Sequence, residues 1–145
     1  MDLVSCLPLL KRIQVSSVLN KDVTQYGKHH LTDGDAHTCW NSDQGLPQFV
    51  VLTMNEPMYI HSISITFQGG FAGTRLQMWI QTAERESFEL DKEFDAIDTS
   101  SSQEFSIAAR AVERVKIVFT KSSDLFGRIT VYKLDLFSTK PVSGS

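Results

Sequence analysis

The chain has 145 residues and a mass of 16.3 kDa, which suits one domain with a proper core and falls short of two. Hydrophobic residues make up 41% and charged residues 21%, proportions that exclude a disordered chain. A formal charge of −3 with no basic stripe excludes a nucleic-acid groove, and apolar runs broken within about ten residues exclude a membrane-spanning helix.

The N-terminal stretch Met1 to Leu10 is apolar, but the basic pair Lys11-Arg12 follows it instead of preceding it. With no small-residue cleavage site, it reads as a first strand and not as an export signal. Cys6 and Cys39 are the two cysteines. Cys39, beside Trp40, reads as a buried small hydrophobe rather than half of a disulfide, which points to a reducing, intracellular location.

Residues 20–47 show no strand pattern, apart from one helical turn expected around Gln25 to His30. A loop that long inside a compact domain is functional or heavily tied down. At its centre lies Leu31-Thr-Asp-Gly-Asp-Ala-His-Thr-Cys-Trp-Asn-Ser-Asp43. Gly34 can take positive φ, and the carboxylates of Asp33 and Asp35 can bond the local backbone. Trp40 then supplies a large surface that must be buried with a partner for its indole N–H, so it is expected to anchor the core.

Alternation dominates the rest. Strands are expected over Phe49–Met54, Tyr59–Phe67, Arg75–Gln81, Ser87–Phe94, Glu104–Ile107, Val112–Phe119 and Arg128–Phe137. In the second of these, Tyr59, His61, Ile63, Ile65 and Phe67 share one side; in the third, Leu76, Met78 and Ile80 do. About eight strands separated by turn-rich segments predict an all-β, antiparallel sandwich. It is expected to form one domain over residues 1–140, with a disordered tail at 141–145.

Little in the chain points to catalysis. His29, His30, His37 and His61 have no metal-ligand spacing, and no nucleophile elbow accompanies the serines. Cys6 and Cys39 have no base that the sequence can identify. An enzyme is therefore not expected.

The order of the pieces has a likeness. Ser16-Ser17-Val-Leu-Asn20, then Leu31-x-Asp-Gly-Asp-x-x-Thr-Cys-Trp-Asn-Ser-Asp43, then Gln48-Phe-Val-Val-Leu52 resembles the first half of a discoidin, or coagulation factor 5/8 C-type, domain. Gly127-Arg-Ile-Thr-Val-Tyr-Lys-Leu-Asp-Leu-Phe137 is similar to that family's closing strand. The likeness spans roughly residues 13–138 and implies a galactose-binding-like jelly roll. Trp40-Asn-Ser-Asp-Gln-Gly45, Phe67-Gln-Gly-Gly-Phe71 and Asp124-Leu-Phe-Gly-Arg128 resemble a small intracellular branch associated with an orphan nuclear receptor. That implies a non-catalytic protein partner of such a receptor, in nucleus or cytoplasm, which dampens receptor-driven transcription.

Ligands in this family bind at loops on one end of the sandwich. The resemblance therefore directs attention to Asn41–Gln48, Gln68–Gly73 and Ser122–Arg128. Phe71 and Phe126 are the candidate contact rings, with Asn41, Asp43, Gln48 and Gln68 as a polar rim. The alternative is that both rings fold back to cap the barrel. Arg128 is a candidate for an acidic partner, or for pinning two loops through Asp43 or Asp124. A carbohydrate-binding module using the same loops is the rival function.

Calcium-binding relatives use a loop like Asp33, Asp35 and Thr38 together with a glutamate from the closing strand. Here that position is Lys133, whose ammonium would repel a cation and pair with Asp33 instead. Asp33 and Lys133 are thus expected as a structural clamp, with calcium the disfavoured occupant.

Overall fold

The computed structural model describes residues 3–107 and 110–139. The tail expected to be disordered, 141–145, lies outside them, as do both ends of the expected 1–140 domain. Among the described residues there are nine strands: β1 (Leu3–Ser5), β2 (Leu10–Val15), β3 (Trp40–Asn41), β4 (Gln48–Phe67), β5 (Arg75–Thr82), β6 (Glu89–Asp95), β7 (Ser102–Ser106), β8 (Ala111–Lys121) and β9 (Thr130–Thr139). Every pairing is antiparallel. One layer runs β2-β4-β8-β5-β6; in the other, β9 lies between β4 and the short strands β1 and β3, with β7 on the far side of β4.

Strand β4 belongs to both layers. Residues 48–59 pair with β2 and β8, and residues 60–67 with β9 and β7. The two strands expected over 49–54 and 59–67 are therefore one. The chain turns the corner at exposed residues 55–57, where a register shift between Thr53 and Met58 supplies the bend. Pro57 is tolerated because that stretch skips the β8 ladder.

A second irregularity corrects the expected face of residues 59–67. Tyr59 is 58% exposed while Ile60 is fully buried, and a register shift between Ile60 and Ser62 reverses the parity before Ile63, Ile65 and Phe67 resume the inward side. His61 is only half-buried. Leu76, Met78 and Ile80 face inward as expected.

The core closes on Trp40, Phe67 and Phe119. Phe119 meets Phe67 edge-on at 5.7 Å and lies 6.4 Å from Trp40, and the Trp40 indole N–H donates to the Ser17 carbonyl at 2.9 Å. A Cβ on Gly73 would stand 2.3 Å from the Phe119 ring, so only glycine lets the chain pass there. The helical turn expected at 25–30 is split: helix α1 (Val23–Tyr26) is capped by Asp22, whose carboxylate accepts from Gln25 N, and a 3-10 turn (Lys28–Leu31) follows and buries Leu31. Cys6 is free and fully buried; Cys39 is free but only half-buried, so it is not the core residue expected. Among the described residues, no helix is long and apolar enough to cross a membrane.

Candidate functional site

Loops 42–47, 68–74 and 122–129 are laced together at one end of the sandwich. Ser42 N donates to Ile129 O while Ser42 Oγ accepts from Ile129 N, both at 2.8 Å. Gly45 N donates to Phe126 O at 2.8 Å, and Ser123 and Ala72 exchange two bonds of 2.9 Å. Asp98 accepts from Gly70 N and Ser123 Oγ, tying in the loop before β7. Gly127 has φ +79°, and a Cβ there would stand 3.1 Å from the Leu46 side chain, so the first and third loops are held at close quarters.

Arg128 organises this pole. Its Nε and Nη2 donate to the two carboxylate oxygens of Asp124 at 2.9 and 3.2 Å. Its guanidinium lies 5.1 Å from the centre of Phe71 and 5.7 Å from Phe126. The hydrogen bonds from Arg128 hold the Asp124 carboxyl below the usual carboxylate range, and Asp124 in turn raises Arg128. Of the two acids considered for Arg128, Asp124 is the partner; Asp43 instead borders a cavity of about 270 Å³ with Leu19, Asn20, Gln44, Phe126 and Arg128.

The pole is apolar at its tip. Leu125 is 92% exposed, Phe126 59% and Leu46 42%, whereas Phe71 is half-buried against Arg128. Leu46 and Leu125 were not among the sequence candidates. The signal that could have found them is their position: Leu46 stands between Gly45 and Pro47, and Leu125 lies within the turn that ends at Gly127, where burial is hard to arrange.

Three rim candidates are partly or wholly covered. Gln48 is buried, its Oε1 accepting from Ser16 Oγ and Ser17 Oγ and its Nε2 donating to Asp43 O and Gly45 O. Its amide is consumed in bracing the first loop and is closed to a partner. Asn41 lies in β3 opposite Thr130, with its Oδ1 buried and unpaired. Gln68 is half-buried and bonds Thr130 O through its backbone N–H.

The aspartate-rich loop is built differently from expectation. Asp33 Oδ1 accepts from Asp35 N at 2.9 Å; Asp33 Oδ2 accepts from Thr38 Oγ1 at 2.6 Å and meets His30 Nδ1 at 3.0 Å. Asp35 Oδ1 takes His37 N at 2.8 Å. Among the described residues the ion pair of Asp33 is with His30, and Lys133 is exposed on the wall of a shallow cavity with Gly34 and Asp35. Lys133 was expected at Asp33 from its place in the resemblance and its charge, and the nearer histidine took the site. Both Asp33 oxygens already accept protein donors, and a cation at the Asp33, Asp35 and Thr38 set would compete with them. Among the described residues no group of three His, Cys, Asp or Glu could hold a metal.

No family model matches the chain. It is 42% identical over 129 residues to the nuclear receptor 2C2-associated protein of Xenopus laevis, covering 85% of this chain and 90% of that one. The proteins of the same name in Danio rerio and Homo sapiens are 41% and 39% identical over 128 and 127 residues, covering 88% of this chain and 90% and 91% of theirs. Among solved structures, the family 32 carbohydrate-binding module of Clostridium perfringens NanJ, in complex with galactose, superposes with TM-score 0.80 at 15% identity, over 94% of this chain and all of that one. An F5/8 type C domain from Bacteroides fragilis gives 0.76 at 14%, covering 90% and 92%. These likenesses show the fold, a galactose-binding-like β-sandwich of the discoidin type.

Proposed function

From the premise that the chain belongs to the nuclear receptor 2C2-associated protein family, we propose that it is a non-catalytic protein-binding module, one unit over residues 1–140. It works inside the cell, in nucleus or cytoplasm. It engages an orphan nuclear receptor through the pole at Leu46, Leu125 and Phe126, and dampens that receptor's transcriptional output. The observation that supports the pole is its contiguous exposed apolar tip on loops held rigid by the Asp124–Arg128 pair. A few exposed large side chains on a preorganised frame carry most of the energy of a typical interface, because little ordering entropy is lost on docking. Asp43 and Gln44 form the polar rim. The test is calorimetric titration of purified receptor domains with the wild-type chain and a Leu125→Ala, Phe126→Ala double variant. Loss of about tenfold or more in affinity is expected, about 1.4 kcal/mol or more. Equal affinity in a variant of unchanged Tm removes the pole, and a reporter assay with the same pair tests repression.

One observation favours a second reading. The cavity beside Phe126 sets an aromatic ring next to Asn20, Asp43 and Gln44, which suits a sugar ring as well as a peptide. A glycan array that captures the wild type but not Phe126→Ala would move the function to carbohydrate binding.

A further inference from the structure

The layer β2-β4-β8-β5-β6 has one face in the core, formed by residues such as Leu52, Ile117 and Met78. Its other face is also apolar. Val51 pairs with Lys116, Lys116 with Trp79, and Trp79 with Leu90, so one row crosses four strands. In the adjacent row Phe49 pairs with Val118. None of Phe49, Val51, Trp79, Val118 or Leu90 belongs to the core cluster, yet Val51 is only 7% exposed: its neighbours on the outer face cover it. These residues form a second apolar layer on the outside of the sheet, where a solvated sandwich face would carry polar residues.

The acids bordering that layer are already engaged: Glu93, opposite Gln77, accepts from Arg75 and Gln77, and Asp95 pairs with Arg75. Arg75, Arg85, Arg110 and Arg128 each sit in an ion pair. Among the described residues, Arg12 and Arg114 do not, and both pair across strands with Thr53 in a single row on this face. Lys116 completes the set, its Nζ 4.6 Å above the Phe49 ring, while Arg114 lies over Phe88 and reaches Gln81. Three cations without carboxylates, in a chain of net charge −3, leave a local positive field that complements an acidic partner. The four strands from β2 to β5 span about 14 Å, room for one helix of about 10–12 Å diameter.

We infer that the outer face of this sheet, around Val51, Lys116 and Trp79, is a second docking surface, and that its occupant is an acidic amphipathic helix of a partner protein. The helix lays its apolar stripe on the Phe49–Trp79 layer and its flanking carboxylates against Arg12, Arg114 and Lys116. The surface lies on the broad side of the sandwich and is separate from the pole, so a partner can use either or both.

The chain contains two tryptophans, one on this face and one in the core, which makes the test self-controlled. The full chain, labelled with ¹⁵N, is titrated with a synthetic helix of about 18 residues carrying leucines on one face and glutamates at its flanks. The Trp79 indole N–H, which donates to Gln77 Oε1, is expected to shift, while the buried Trp40 indole stays still. Lys116→Glu with Arg114→Glu weakens binding about tenfold or more, Leu125→Ala with Phe126→Ala leaves it unchanged, and a helix with lysines for glutamates does not bind. If the double reversal disturbs the Trp40 signal, Arg12→Glu on the exposed edge strand replaces it. The inference is overturned if Trp79 does not respond, if the lysine helix binds equally, or if only the pole variant loses binding. Sedimentation showing a dimer that Lys116→Glu dissociates would also overturn it, since a second copy would then be the occupant.

Discussion

His30 and Asp33 are joined at 3.0 Å through Nδ1, while the Nε2 of the same ring lies 2.8 Å from the Thr24 carbonyl. Both ring nitrogens thus face oxygen acceptors, and only the imidazolium donates to both. The bond to Asp33, and then the Thr24 carbonyl, raise His30 above its ordinary value. Burial works to raise Asp33, but the Thr38 hydroxyl, the Asp35 N–H and His30 outweigh it and bring its carboxyl to about 2.

The signs of these two shifts differ. The His30 contribution is complete below about pH 6.5 and is lost as pH rises through its raised folded value. The Asp33 contribution is present above about pH 3.9 and is lost as pH falls towards 2. Amides of residues 33–38 are expected to exchange most slowly, after correction for intrinsic rates, between about pH 4 and 6.5. His30→Ala should abolish the loosening on the alkaline side and leave the acid side in place. A wild-type loop equally protected from pH 5 to 9 would contradict this.

Calcium should not alter the protein. The Asp33 carboxylate is taken up by Thr38, Asp35 and His30, so a cation would have to compete with three existing bonds. Tm is expected to be the same in excess calcium and in chelator. A calcium-dependent rise would mean that the loop rearranges to release those oxygens.

Trp40→Phe separates packing from hydrogen bonding. The ring is fully buried against Phe119, and the indole N–H satisfies Ser17 O. Replacing it leaves a partly buried carbonyl without its donor and a partly filled space, for a loss of about 2 kcal/mol in urea unfolding. Trp40→Ala should cost about 3–5 kcal/mol.

Gln48→Glu is expected to cost more than a surface change and to do so in a pH-dependent way. The Nε2 donor faces two carbonyls, Asp43 O and Gly45 O, and a carboxylate would set an anion against both. A loss of about 3 kcal/mol at pH 7 should shrink at low pH, where the protonated acid can again donate one bond.

Much of the candidate pole was legible in sequence because its parts are local. Asp124 and Arg128 are four residues apart, and a turn of that length brings their side chains together wherever it sits. Phe71 and Phe126 were marked by the glycines beside them, though their unequal exposure was not. Gln48 was misread because its polarity suggested solvent, and nothing local reveals that Ser16, Ser17, Asp43 and Gly45 converge on its amide. The outer face of the sheet escaped notice for a related reason: alternation marks one face of a strand as apolar and cannot show that the other face, assembled across four strands, is apolar as well.

The sequence by itself determined the strand class, the inward residues of the regular strands and the anchoring role of Trp40, since a period of two and a large indole constrain only near neighbours. The tertiary structure alone decided that 49–54 and 59–67 are one bent strand, that His30 and not Lys133 meets Asp33, and which bonds lace the three loops together at their pole. Those outcomes depend on contacts such as Ser42 with Ile129, 87 residues apart, and a repeat that reports on the next two to four positions holds no information about which distant segment will arrive.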